Sequence, residues 1–337
     1  MSKKMFDYCC GNPPYQDDRQ GTSTTALPVY HYFINEAYKV SDVVELIHPA
    51  RFLFNAGRTP KEWNEKMLND EHLKVLDYQQ DASKVFQNTE IKGGVAITIH
   101  DDSKNYGAIK IFTIYPELNE IIKKTQAEEV EFRPFSTMAF VASKFNIDNL
   151  VRDYPQYEGH ERRMSSNVLS FDCFHKNQED GDIAVYGVEK GKRITMYIHP
   201  EYVDTSDEHI QSYKIITPKA DGNGNFGDIL TKPEILCENY AFTHTFLGLG
   251  GFEREEDANA ALRYIKTKFV RALLSVLKIT QDLNADKWNY VPLQDFTPDS
   301  DIDWSVSIAD IDQQLYRKYG LSAEEIAFIE TNVKEMT

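Results

Sequence analysis

Basic residues are scarce in this sequence: 37 lysines and arginines stand against 53 aspartates and glutamates, for a net charge of −16 over 337 residues. That balance excludes a uniformly basic surface of the kind that coats nucleic acid. It permits a local basic groove, because the excess acid is unevenly spread: residues 295–337 hold 10 acids and 3 bases, −7 of the −16. Cysteine is also sparse. Cys9, Cys10, Cys173 and Cys237 lack zinc-like spacing and read as reduced thiols, so no disulfide framework and no metal site is expected. Long apolar runs are missing, and none approaches the roughly 18 residues of a membrane-spanning helix. The apolar stretch after Met1-Ser2-Lys3-Lys4 is too short for a signal peptide, and the expectation is a cytoplasmic protein. What the chain does have is core material, with 41% hydrophobic and 12% aromatic residues and length enough for two domains.

The first hundred residues alternate between strand and helix patterns. Met5-Phe6-Asp7-Tyr8-Cys9 reads as a short buried strand. Pro28 opens a helix over 29–39, with Tyr30, Phe33, Ile34 and Ala37 on one face. Val43 to Ile47 is a strand, residues 60–68 a helix, and 73–78 and 93–99 two further strands. Strand, helix, strand, helix and then two close strands predict the second half of a doubly wound sheet. A helix opened by Pro116 follows, and then the texture changes. From 132 to about 251 short alternating segments are separated by turn signals such as Gly191 and Asp221-Gly222-Asn223-Gly224, which predicts a β-rich segment. Ala258, Ala261, Leu262, Ile265, Phe269, Leu273 and Val276 fall at helical spacing and predict one helix over 255–278. Two tail helices follow near 308–319 and 322–333, the second with Ser322 and Glu325 spaced as a capping box. Local basic clusters gather Arg152, His160, Arg162, Arg163, Lys190, Lys192 and Arg193.

The stretch with chemical character is Cys10-Gly11-Asn12-Pro13-Pro14-Tyr15-Gln16, placed where the first strand ends. Asn-Pro-Pro-Tyr in that position resembles the catalytic loop of the amino-group DNA methyltransferases, in the form carried by the adenine-N6 enzymes of restriction-modification systems. Two further blocks resemble the large type II members of that class. One is Ile47-His48-Pro49-Ala50-Arg51-Phe52, and the other is Val85-Phe86 followed by Ile91-Lys92-Gly93-Gly94-Val95. The resemblance implies S-adenosylmethionine as methyl donor, double-stranded DNA as substrate, and a target adenine flipped out of the duplex. It implies that Asn12, Pro13, Pro14 and Tyr15 are catalytic. The prolines stiffen the loop, and the Asn12 side-chain oxygen and Pro13 carbonyl accept the two protons of the exocyclic amine. Tyr15 and Phe86 are expected to stack on the base, although Phe86 also reads as a core residue under a hairpin. The β-rich segment corresponds to a target-recognition domain, with Arg162, Arg163, Lys190, Lys192, Arg193, Lys214 and Lys219 as candidate phosphate contacts.

The expected architecture is therefore α/β: a partial doubly wound, Rossmann-like methyltransferase sheet over 1–105, a β-rich α+β recognition domain over 106–255, and a C-terminal helical region over 256–337. The family pattern fails at one point. Its glycine-rich cofactor loop lies ahead of the Asn-Pro-Pro-Tyr loop, and only eleven residues precede Asn12. Either the chain is the catalytic and recognition half of a split or truncated enzyme, with a second chain supplying the cofactor-binding half in the split case, or the order is permuted and Phe246-Leu247-Gly248-Leu249-Gly250-Gly251 serves as that loop rather than as a glycine-rich turn. Two other functions stay open. One is an inactive DNA-recognition subunit. The other is a metal-dependent nuclease, with Asp77 or Asp81 followed by Glu90-Ile91-Lys92.

Overall fold

The structure, a computed structural model, describes residues 4–17, 27–54, 58–86, 91, 93–127, 131–221, 225–228, 230–278 and 282–336. The chain divides into two compact units, Met1–Asn119 and Glu120–Thr337. The second unit holds both the β-rich segment and the helical tail.

In the first unit β1 (Phe6–Gly11) leads through α1 (Tyr30–Val40) to β2 (Ser41–Pro49), and α2 (Lys61–Leu68) precedes β3 (Leu73–Gln79) and β4 (Val95–Asp101). The four strands form one sheet in the order β1-β2-β4-β3. β1 runs parallel to β2, and β4 runs antiparallel to both β2 and β3. β2 is rich in β-branched residues and lies between two neighbours, as its apolar run predicts. α1 and α2 turn Tyr30, Ile34, Trp63, Met67 and Leu68 onto Val44 and Leu46 of β2, closing a core with Phe52 and Leu53. The first strand departs from expectation. Among the described residues β1 pairs on one side only, and Phe6 and Tyr8 on its outer face are 53% and 51% exposed. Apolar composition alone reads as burial; an edge position decides otherwise.

The second unit begins within α3 (Pro116–Thr125) and carries β5 (Ala139–Phe140), α4 (Ile147–Asp153), β6 (Phe174–His175), β7 (Ile183–Glu189), β8 (Lys192–Ile198), β9 (Tyr213–Pro218), β10 (Glu234–Leu236), β11 (Tyr240–Phe242) and β12 (Phe246–Phe252). Two four-stranded sheets result, β10-β9-β12-β5 and β11-β7-β8-β6. The predicted helix over 255–278 is two helices, α5 (Glu255–Lys266) and α6 (Lys268–Leu274). Thr267 breaks it with extended backbone, and its hydroxyl caps α6 by accepting from the Val270 amide. The buried Asp312 carboxylate accepts from the Lys268 and Phe269 amides and holds the break open. Asp312 belongs to α7 (Ile308–Lys318); α8 (Ala323–Asn332) starts with the predicted Ser322–Glu325 capping box.

His48 on β2 is fully buried, with Nε2 2.8 Å from the Thr98 hydroxyl and its ring stacked on Tyr30. Burial pushes its pKa down to about 4, so the ring is neutral in the folded protein. The folded state thus binds fewer protons than the unfolded one. His48 contributes full stability above pH ~6.5 and loses it as pH falls toward 4. Urea midpoints of wild type and His48→Gln, followed against pH, check this. The advantage of wild type is expected to shrink by about 2 kcal/mol between pH ~7.5 and ~5, and an advantage independent of pH contradicts it.

Candidate functional site

Register places the site. β1 ends at Gly11 beside Leu46, β2 ends at Pro49 beside Val95, and β3 ends at Gln79, also beside Val95. The loops after β1, β2 and β3 and the turn before β4 therefore line one edge of the sheet. Open α/β sheets place their ligands at such an edge.

Asn12 and Pro14 are exposed, and Pro13 and Tyr15 half-buried. The loop is tied to the entrance of α1: the Val29 amide donates to the Tyr15 carbonyl at 3.1 Å, and the Asp17 amide to the Leu27 carbonyl at 2.9 Å. The Tyr15 hydroxyl is buried without a hydrogen-bond partner, and burial raises its pKa. The nearby Asn12 side chain opposes that shift without forming a well-directed hydrogen bond. An unbonded buried hydroxyl beside an exposed amide is a polar pair with bonding capacity left over.

Phe86 approaches from the loop after β3. A short 3₁₀ turn, Ala82–Lys84, is capped by the Asp81 carboxylate accepting from the Ser83 amide, and the Phe86 amide donates to the Ala82 carbonyl at 2.9 Å. This sets the half-buried Phe86 ring 6.4 Å from the Tyr15 ring, with the planes 69° apart. Phe86 is not part of the buried cluster beneath the sheet. The two rings meet edge to face, an ordinary aromatic contact. To hold a third flat ring between them they must turn parallel and open to about 7 Å, two base-stacking layers.

The Gly93-Gly94 pair explains how the loops fit together. Both residues have positive φ, +90° and +74°, and a Cβ on Gly94 would strike the Gln79 carbonyl. The Gly94 carbonyl accepts from the Ala50 amide at 3.0 Å, binding the β4 turn to the loop after β2. Sequence reasoning missed an aromatic trio at this edge. Phe54, Tyr78 and Phe112 pack edge to face with centroids 5.4–5.6 Å apart. Tyr78, the penultimate residue of a strand ending at the site, was the available signal.

The basic candidates separate. Arg162, Lys190 and Lys192 are exposed and carry no ion pair among the described residues; Lys190 sits in the β7–β8 turn. Arg163 and Lys219 are half-buried. Lys214 is 1% exposed, and its ammonium donates to the Ser212 and Cys237 carbonyls at 2.7 and 3.1 Å. It cannot reach a phosphate; burial lowers its pKa to about 8. Alternation along β9 puts Lys214 on one face with Ile216, a pattern that argues against a solvent-facing lysine. Arg193 is likewise committed, to the Glu234 carboxylate, the Thr231 and Lys232 carbonyls and the face of Phe246.

The permuted cofactor loop fails. Phe246–Phe252 is β12, paired on both sides, and Gly248 makes room for the rings of Phe140 and Phe242. It is not a turn either: the register shift between Gly250 and Phe252 is a bulge within a strand. Of the nuclease residues, Glu90 and Lys92 lie outside the described residues. Asp81 is occupied by the Ser83 amide and hydroxyl. Among the described residues no cluster of histidine, cysteine or acid is arranged for a metal ion, and no helix is long and apolar enough to cross a membrane.

Residues 1–86 match the family model of the Eco57I restriction-modification methylases. No curated protein matches the chain. Among solved structures it is similar to the type IIG restriction endonuclease BpuSI, at 10% identity and a TM-score of 0.34, covering 92% of this chain and 49% of that one. It is also similar to the type IIL restriction-modification enzyme MmeI in complex with DNA, at 9% identity and a TM-score of 0.34, covering 97% and 56%. The chain thus spans about half the length of these structures.

The placement of Phe86 predicts a contrast in stability. Phe52, fully buried, is expected to cost about 3–5 kcal/mol on truncation to alanine. Phe86→Ala, at a half-buried wall of the site, is expected to cost less than about 1.5 kcal/mol. Denaturant unfolding of the two variants measures both, and equal losses would make Phe86 a core residue.

Proposed function

We propose that this chain is the catalytic and target-recognition part of a site-specific DNA adenine-N6 methyltransferase of a restriction-modification system. One observation carries the reading. Asn12-Pro13-Pro14-Tyr15 follows a strand whose end lies at the loop-lined edge of a β1-β2-β4-β3 sheet, with Phe86 at 6.4 Å from Tyr15, inside the segment that matches the methylases.

The chemistry asked of these residues is alignment. The exposed Asn12 amide oxygen and the Pro13 carbonyl accept the two protons of an adenine exocyclic amine. Held this way, the nitrogen lone pair points out of the base plane toward the incoming methyl group. Tyr15 and Phe86 hold the flipped base by stacking, each ring contributing roughly 1–3 kcal/mol. Rate then comes mainly from fixing the reacting geometry; no general base is evident at the loop, and the proton that the methylated amine sheds goes to water.

The described residues do not themselves fit S-adenosylmethionine. The glycine run of β12 is a paired strand, and no other described loop leads a glycine cluster into a helix N-terminus, as a nucleotide-like cofactor needs. We assign the cofactor pocket to a second polypeptide that continues the sheet along the free edge of β1, covering Phe6 and Tyr8.

Asn12→Ala in the assembled enzyme is expected to abolish methyl transfer while leaving duplex affinity nearly unchanged, because affinity comes mainly from phosphate contacts. Tritium transfer and anisotropy titration on the same preparation separate the two; a parallel fall would make Asn12 structural. The chain without its partner is expected to give no binding heat with S-adenosylmethionine in calorimetry. Micromolar binding by this chain alone would sink the two-chain arrangement.

A further inference from the structure

In a chain with 16 surplus acids, several cations of the second unit find a carboxylate, Arg152, Arg193, Arg254, Lys268 and Lys318 among them. Three that lie together do not. Arg163, Lys219 and His244 are each half-buried, and none of them forms an ion pair among the described residues. The Arg163 Nε is buried with no hydrogen-bond partner at all. Leaving a guanidinium nitrogen dry and unbonded is costly, and native proteins keep such groups for a reason.

Backbone hydrogen bonds bring the three together from distant parts of the sequence. The His244 amide donates to the Met164 carbonyl, next to Arg163, at 2.8 Å, and the Lys219 amide donates to the Thr245 carbonyl, next to His244, at 3.0 Å. Arg163 is itself held by a bridge to Lys144. The three side chains act on one another: Arg163 depresses the Lys219 ammonium, and both depress the His244 imidazole, after burial has done so. Glu161 alone pulls His244 the other way. Like charges gathered at a half-buried place, with no ion pair among the described residues and only the Glu161 carboxylate opposing them, leave room for an anion.

We propose that Arg163, Lys219 and His244 form a single anion site in the second unit, and that the anion is a backbone phosphodiester of the DNA. The proposal rests on the DNA-directed reading above and deepens it by naming the contact. His244 adds a property the other two lack. An anion at the site offsets the repulsion from Lys219 and Arg163, so the imidazole takes up a proton when DNA binds. DNA affinity therefore rises as pH falls through the titration of His244.

The test uses the full chain and a random-sequence duplex, with anisotropy titrations over a salt series at pH ~6 and ~8, either side of the ordinary histidine range. Wild type is expected to bind severalfold tighter at the lower pH. Lys219→Ala is expected to bind severalfold more weakly and to reduce the slope of log K against log salt by about 1, and Lys219→Arg to restore both. His244→Gln is expected to abolish the pH difference while keeping the wild-type slope at the higher pH. Circular dichroism establishes that the variants fold. Duplex binding by wild type with an unchanged slope in Lys219→Ala, or a pH difference that survives in His244→Gln, overturns the site and leaves the methyltransferase reading standing. No duplex binding at any salt overturns both. A second arm replaces DNA with inorganic phosphate: a thermal shift in wild type lost in Lys219→Ala, with duplex affinity equal in the two, assigns the site to free phosphate and overturns the phosphodiester.

Discussion

The parallel register of β1 against β2 is the constraint on which the first unit depends. Gly11 beside Leu46 fixes how far the first strand runs, and so where Asn12 leaves the sheet. The alternation of side chains makes that register an all-or-none choice. As paired, Cys9 packs toward the core under α1, while Phe6 and Tyr8 stay on the other face. A slip of one residue would bury the opposite set and move the Asn-Pro-Pro-Tyr loop about 3.3 Å along the edge. Pro49 and Gln79, both against Val95, then bring the other two loops level with it. The site is in this sense a property of strand ends; no single loop makes it.

Charge is organised by the same economy of neighbours. A buried cation is tolerated where carbonyls or carboxylates replace water, as around Lys214, or Arg271 with the Gly227, Lys266 and Lys334 carbonyls. Those side chains are structural whatever their sign suggests. Net charge says little about where a polyanion docks, because it sums groups already satisfied with groups that are not. The separation between Arg193, wrapped by Glu234 and two carbonyls, and Arg163, with an unbonded Nε, is invisible in composition.

Much of this was legible in the sequence, for identifiable reasons. α1, α2, β2, β3, β4, the helix opened by Pro116, and the tail helices carry local signals: periodicity, a proline start, a capping box. Their predicted bounds lie within a few residues of those observed. The Asn-Pro-Pro-Tyr loop was legible because its stiffness is written in two consecutive prolines. What was not legible depends on residues far away. The break at Thr267 needs Asp312, 45 positions later, to accept the freed amides. The openness of β1 depends on which strand lies beside it, and a pattern of apolar residues does not name its neighbours. Gly248 looked like a phosphate loop because glycine serves two ends, backbone freedom and simple lack of bulk, and here Phe140 and Phe242 needed the space.

Among the described residues β1 has one unpaired edge, and this has a consequence in colloidal terms. An unpaired strand accepts backbone hydrogen bonds from any extended chain, including a second copy of itself. With Phe6 and Tyr8 exposed on this strand, such a pairing would also cover apolar surface. The net charge of −16 then gains a meaning independent of DNA. Identical copies repel one another at long range, which slows edge-to-edge encounters between like chains. Salt weakens that protection, since at physiological strength the repulsion fades within about 8 Å. The acidity of the chain thus opposes the pairing of like copies along an open strand edge.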